Sequence, residues 1–179
     1  MDSGYTTMQN NVNHAGQPQK NPIGATLVVG AGIAGMQAAL DLAESGIKVY
    51  LLDRSPAIGG TMAMLDKTFP TNDCAMCIMS PKLVEVGRHF NIELLTSAEV
   101  KGITGEPGNF TVSIIQHPRF VDLKKCTACG DCAAVCPVSL PDKFNGDLST
   151  RKAIFKLYPQ AIPNAYAIEK QGTAPCRDA

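Results

Sequence analysis

Thr26-Leu27-Val28-Val29-Gly30-Ala31-Gly32-Ile33-Ala34-Gly35 is the stretch that decides how this chain is read. Its first four residues form a short apolar run ending in glycine, the composition of a buried parallel strand. The next six match G-x-G-x-x-G. Ile33 to Glu44 then carries Ala, Met and Leu at helical spacing, and Ser45-Gly46 supplies a stop. Lys48-Val49-Tyr50-Leu51-Leu52-Asp53 reads as a second apolar strand. Strand, glycine turn, helix and strand within about 30 residues make a βαβ unit. In that setting the first glycine permits a tight turn and the second lets backbone approach a pyrophosphate. The third lets helix and strand pack closely, while the helix amino terminus adds N–H groups and partial positive charge. Asp53 stands 23 residues past Gly30, near the roughly 20-residue offset of the acid that accepts ribose hydroxyls. A glycine-rich turn without a ligand is the bland alternative, and the flanking strand and helix tell against it.

Beyond Asp53 comes Arg54-Ser55-Pro56-Ala57-Ile58-Gly59-Gly60. It resembles the second diglycine stretch of two-dinucleotide flavoproteins, whose acid and following loop wrap the FAD ribose and pyrophosphate. That resemblance favours FAD over NAD and makes Gly30, Gly32, Ile33, Ala34, Gly35, Asp53, Arg54, Gly59 and Gly60 the candidate cofactor-binding residues. In those flavoproteins the nicotinamide site lies in a later, inserted domain, and no second G-x-G-x-x-G occurs in this sequence.

Seven cysteines are many for a chain whose start lacks the basic and apolar regions of a secretory signal. A reducing compartment disfavours disulfides, so crowded cysteines there read first as metal or redox ligands. Cys126-Thr127-Ala128-Cys129-Gly130-Asp131-Cys132-Ala133-Ala134-Val135-Cys136-Pro137 fits C-x2-C-x2-C-x3-C-P. Thiolates at those intervals wrap one corner of a [4Fe–4S] cube, and the fourth ligand leaves toward another cluster. A zinc site shows separated cysteine pairs or cysteine with histidine instead. Cys126, Cys129 and Cys132 therefore belong to a first cluster, with Cys136 set apart. Cys74-Ala75-Met76-Cys77 is a C-x2-C that reads as a redox dithiol, half of a cluster site, or two packed thiols. A dithiol of the thioredoxin type sits at a strand-to-helix junction, and the sequence places this pair ahead of a helix rather than at its start. Cys176 means little in isolation.

The rest of the chain is less regular. Residues 1–22, rich in Asn and Gln, read as a disordered lead. Ser80-Pro81 reads as an N-cap followed by proline at the first helical position, opening a helix through about His89. Asn91 to Leu95 reads as a strand, and Val100 to Ile103 with Phe110 to Gln116 as a hairpin around Gly105-Glu106-Pro107-Gly108. Prolines at 137, 141, 159 and 163 leave residues 137–168 to extended segments and turns. Domain limits follow: lead 1–22, a partial dinucleotide-binding domain over 23–117, a ferredoxin-like segment over 118–146, and a connecting segment over 147–179. The fold class is α/β, a Rossmann-like FAD-binding unit with a ferredoxin-like [4Fe–4S] insertion. Formal net charge is zero, from 16 basic and 16 acidic residues, with no run of like charge. No nucleic-acid face is marked. No segment approaches the roughly 18–20 apolar residues of a membrane span. The expected location is the cytoplasm. The three histidines, His14, His89 and His117, fit no catalytic arrangement. Met62, Met64, Met76 and Met79 read as packing around the cysteine pair.

Taken together, three stretches resemble the A-type subunit of heterodisulfide reductase: Val29 to Ala39, Thr71 to His89, and the ferredoxin motif. The segment Arg151 to Ile154 and the segment Pro159 to Tyr166 are also similar to that family. The Asp73-to-His89 stretch is the family-specific part. The resemblance implies a thioredoxin-reductase-like flavin domain interrupted by a ferredoxin-like insertion, with electrons passing between FAD and several iron–sulfur clusters. It implies B- and C-type subunits and a hydrogenase or formate dehydrogenase as partners. The family's amino-terminal extra domain is replaced by about 20 polar residues, and the chain is expected to be a fragment, inactive alone and weak in flavin retention. The family's Cys-Pro is expected immediately after Ala179, which brings seven cysteines to the eight that two clusters need. Under that reading Cys74, Cys77 and Cys136 contribute to a second cluster, and Cys176 and the further cysteine each complete one site. The alternative keeps one local cluster on Cys126 to Cys136. A different class of function, an electron-carrier module with a cluster but no flavin, stays open beside the oxidoreductase reading.

Overall fold

A computed structural model of the chain describes residues 5–6 and 24–169. Cys176 and His14 lie outside these residues, as does nearly all of the expected disordered lead. Tyr5–Thr6 is the exception: it forms a short strand, β1, so the expectation of disorder does not hold for that dipeptide.

Three parallel strands, β2 (Ala25–Val29), β3 (Lys48–Asp53) and β4 (Ile92–Thr96), form a sheet in that order. Helix α1 (Ile33–Glu44) connects the first two strands and α2 (Ala75–Arg88) precedes the third. Residues alternate across the sheet because successive strand side chains point to opposite faces. Val28, Val49, Leu51 and Ile92 face the helices and pack with Met36, Leu40, Met79, Leu83 and Val86. Leu52 and Leu95 face the other way, with Leu27 and Tyr50 beside them, and meet Ala98, Val100 and Ile114. Those last three belong to an antiparallel hairpin, β5 (Ala98–Glu106) and β6 (Asn109–Gln116), which covers the second face and pairs with β1 through Tyr5 and Ile115. The result is three layers: helices, parallel sheet, hairpin. The hairpin turns on Pro107 and Gly108, inside the expected loop, with Gly108 at φ 89°.

The expected helix start at Ser80-Pro81 is corrected. Helix α2 begins at Ala75, and Pro81 lies inside it. Ala75, Met79, Leu83 and Val86 are its buried residues, an apolar stripe at helical spacing that runs straight across the proline. Pro81 is exposed, and its missing N–H deprives only the Cys77 carbonyl of a helical donor. Packing of the stripe outweighs that loss.

After His117 the chain makes a short helix, α3 (Asp131–Ala134), and two small antiparallel pairs. Strand β7 (Ser139–Pro141) pairs with β8 (Thr150–Lys152), and β9 (Ile154–Phe155) with β10 (Ala167–Ile168). This agrees with the expected extended segments and turns. Arg119 and Ile168 meet where the segment leaves and returns, through an N–H of Ile168 donated to the Arg119 carbonyl at 3.1 Å.

Candidate functional site

Strand β2 delivers the glycine turn and α1 rises from it. The three motif glycines have separate tasks. Gly30 holds φ 97°, where an L side chain is strained. A Cβ on Gly35 would lie 1.8 Å from the Gly30 carbonyl oxygen, so no side chain fits between helix and turn. A Cβ on Gly32 would meet nothing within 4 Å. That glycine borders open space on the outer side of the turn. Gly32 is also the N-cap of α1, with no side chain capping the helix and no acid in its first turn. The N–H groups there are thus left for an anion. Ile33 packs against the core and Ala34 is exposed.

Asp53, at the end of β3, accepts the Ala31 N–H at 2.7 Å with one carboxylate oxygen and the Ser55 N–H at 2.8 Å with the other. The acid therefore braces the turn itself, a role the ribose assignment did not include. Each oxygen retains a lone pair for a further donor. The loop after Asp53 folds back onto the turn. The Gly59 N–H donates to the Ala31 carbonyl at 2.7 Å, and a Cβ on Gly60 would lie 2.9 Å from the Gly32 Cα. Gly59 and Gly60 hold φ 126° and 58°. Arg54 is exposed at the head of this loop. The two glycine stretches thus form one cradle, which fits a dinucleotide phosphate.

Three residues distant in sequence hold the cradle closed. The Tyr158 hydroxyl donates to the Ile58 carbonyl and lies against Gly59, with the ring stacked on Phe144. Burial pushes this hydroxyl up to about 12, with Asp53 adding to the rise. The Ile58 N–H donates to the Ile162 carbonyl at 2.9 Å. The half-buried Arg119 guanidinium donates to Pro56 and Tyr166 carbonyls and to the Thr96 hydroxyl. Burial lowers its pKa, against the nearby Cys126. Sequence reading found none of these three, because each reaches the loop after Asp53 from at least 63 residues away.

In the cysteine loop, Ala128 at φ 59° and Gly130 at φ 98° turn the backbone between the thiols. The Cys126 N–H donates to Asp122 at 2.9 Å. Cys129 is exposed, Cys126 and Cys132 are half-buried, and Cys136 is buried with its thiol toward the Val138 carbonyl. Among the described residues no three His, Cys, Asp or Glu side chains gather to hold a single metal ion. A donor set of thiols alone, spaced around a loop, fits the separate corners of a cube. Cys136 is likewise not gathered with Cys74 and Cys77 into one metal-holding group.

Cys74 is the N-cap of α2, its sulfur accepting the Cys77 N–H at 3.3 Å. The Cys77 thiol donating to it lowers the Cys74 pKa, and the same bond raises that of Cys77. Because α2 starts earlier than expected, this pair does occupy a helix amino terminus, the setting of a redox dithiol as well as of a half-site. Met62, Met76 and Met79 pack in the core.

A dinucleotide-type glycine cradle and a ferredoxin-type loop on one chain define the flavin and iron–sulfur class of protein. Residues 26–76 match the FAD dependent oxidoreductase family and residues 119–139 the 4Fe-4S binding domain. The first of two iron–sulfur A-type subunits of CoB–CoM heterodisulfide reductase from Methanopyrus kandleri is 56% identical over 145 residues, which are 81% of this chain and 22% of that protein. The A-type subunit of the H2/formate:CoB-CoM heterodisulfide,ferredoxin reductase from Methanococcus maripaludis is 55% identical over 80% of this chain and 22% of its own length. A thioredoxin reductase from T. acidophilum superposes with TM-score 0.43 at 24% identity, covering 49% of this chain and 29% of that one. The chain belongs to the family of heterodisulfide reductase A-type subunits, and it spans about a fifth of the length of these relatives. No helix among the described residues is long and apolar enough to cross a membrane.

Proposed function

We propose that this chain passes electrons between FAD held at the Gly30–Gly35 turn and a [4Fe–4S] cluster held by Cys126, Cys129 and Cys132. FAD takes electrons in pairs and a cluster passes them singly, so the two together convert pair chemistry into one-electron transport. The observation that carries this reading is the shared strut. Arg119 donates to Pro56 in the loop after Asp53 and to Tyr166, whose hydroxyl lies against Gly130 of the cysteine loop. Gly30, Gly32, Ile33, Ala34 and Gly35 take the pyrophosphate in this reading, Asp53 the ribose, and Arg54, Gly59 and Gly60 close over them. Cys136 serves a second cluster with Cys74 and Cys77 as its candidate companions, and Cys176 completes one of the two sites. The relatives' names place them as subunits of hydrogen- or formate-linked reductases. B- and C-type subunits with a hydrogenase or formate dehydrogenase are accordingly the partners proposed, in the cytoplasm.

Iron, sulfide and flavin analysis of the protein purified anaerobically and supplied with FAD tests this. The expected result is a brown protein with about four iron and four sulfide per cluster and bound flavin. Iron with no flavin would instead support a carrier module. Zinc in place of iron would overturn the reading.

A further inference from the structure

The segment returning from the cysteine loop carries a tyrosine to which neither the family matches nor the cofactor assignments give a task. Tyr166 is half-buried, and its hydroxyl lies 3.3 Å from where a Cβ on Gly130 would stand, between Cys129 and Cys132 in sequence. Its hydroxyl makes no hydrogen bond to another of the described residues. The hydroxyl thus lies on the loop that carries the thiols assigned to the first cluster. Its backbone is fixed by Arg119, which donates to the Ala165 carbonyl at 3.5 Å and the Tyr166 carbonyl at 3.4 Å. The Ala167 and Ile168 strand that follows is locked to Ile154 and Phe155. A neutral hydroxyl beside the cysteine loop can donate to a cluster sulfur and cannot accept from it, since ligating thiolates accept and do not donate.

We propose that Tyr166 is a positioning residue that donates a hydrogen bond to a sulfur of the [4Fe–4S] cluster and so sets its reduction potential. The inference rests on the cluster assignment of the preceding section. Hydrogen bonds to cluster or ligand sulfur are among the factors that set the potential. A donor offsets negative charge on sulfur and favours the reduced state, which carries one more electron.

The test is an EPR-monitored redox titration of the anaerobic, cluster-loaded protein and its Tyr166→Phe variant. The expected result is unchanged iron content and a more negative midpoint potential, by a fall of up to tenfold in the reduction equilibrium, about 59 mV for one electron. A potential equal to that of the unaltered protein, or a higher one, overturns the inference. Should the variant lose iron, 3-fluorotyrosine at position 166 keeps the ring and strengthens the donor. It should raise the potential, and an unmoved potential there overturns the proposal equally. A protein that never binds a cluster sinks the functional reading itself, whereas a cluster indifferent to Tyr166 sinks only this inference.

Discussion

The glycine cradle and the cysteine loop are built on opposite terms. The cradle is made of backbone, and two of its residues are fully buried: Ala31 and Ile58 are both 0% exposed. Strand β2, helix α1, Asp53 and the Gly59-Gly60 loop fix one another by short hydrogen bonds. The cysteine loop offers side chains instead. Helix α3 has four residues and none is buried, and Val135 is 80% exposed. Too little apolar surface is buried there to offset the ordering of the chain. The fold therefore supplies the shape of the first site, whereas the second is expected to gain order from a cluster, much as structural metals supply folding energy elsewhere.

Removing the metal should break this contrast most visibly. Chelating iron from the cluster-loaded protein should erase amide protection over residues 119–138 and leave residues 25–64 as they were, read by hydrogen exchange. Next comes Gly35→Val. Its side chain would overlap the Gly30 carbonyl, and the cost should be about 3 kcal/mol or more by denaturant unfolding, the upper end for overpacking. Asp53→Ala leaves the Ala31 and Ser55 N–H groups without their acceptor and should cost about 1–3 kcal/mol, with FAD weakened but not lost by equilibrium titration. The smallest effect belongs to Tyr158→Phe, about 1 kcal/mol for one hydrogen bond. It carries a pH signature. The folded hydroxyl titrates near 12 and an unfolded one near about 10, so the folded state holds the extra proton between these values. Stability is full below about pH 10 and falls as pH rises toward 12. Tyr158→Phe should remove that slope, which pH-dependent unfolding curves would reveal.

How much of this was legible in the sequence follows the same division. The βαβ unit could be read nearly to the residue, because local periodicity and glycine spacing encode it: the helix Ile33–Glu44 and the strand Lys48–Asp53 stand as expected. The cluster class was legible from cysteine spacing, whereas the family and the choice of FAD rested on resemblance to known motifs. Helix α2 was misread because Pro81 looks like a first helical residue, while the stripe Ala75, Met79, Leu83 and Val86 that overrides it is visible only once a core lies beneath it. Tyr158, Arg119 and Tyr166 carried no local signal. Their partners lie far away in the chain, and nothing in the neighbouring residues distinguishes a tyrosine that braces a turn from one that covers a core. Asp53 was read for a ligand, and its bond to Ala31 N–H required the turn's geometry.

Light tests the proposed electron path most directly. Bound flavin is photoreduced by a sacrificial amine donor, and electrons that reach the cluster appear as its reduced EPR signal. Gly32→Val is the decisive comparison, since its side chain enters open space beside the turn and should cost less than about 1 kcal/mol at an N-cap while excluding the pyrophosphate. In the unaltered protein loaded with FAD and cluster, illumination should reduce the cluster. In Gly32→Val, which keeps its iron and its fold, the cluster should stay oxidised under light and still respond to dithionite. Equal photoreduction in both proteins, or a flavin-loaded protein whose cluster ignores the light yet accepts electrons from dithionite, would contradict the claim that these two sites form one electron path.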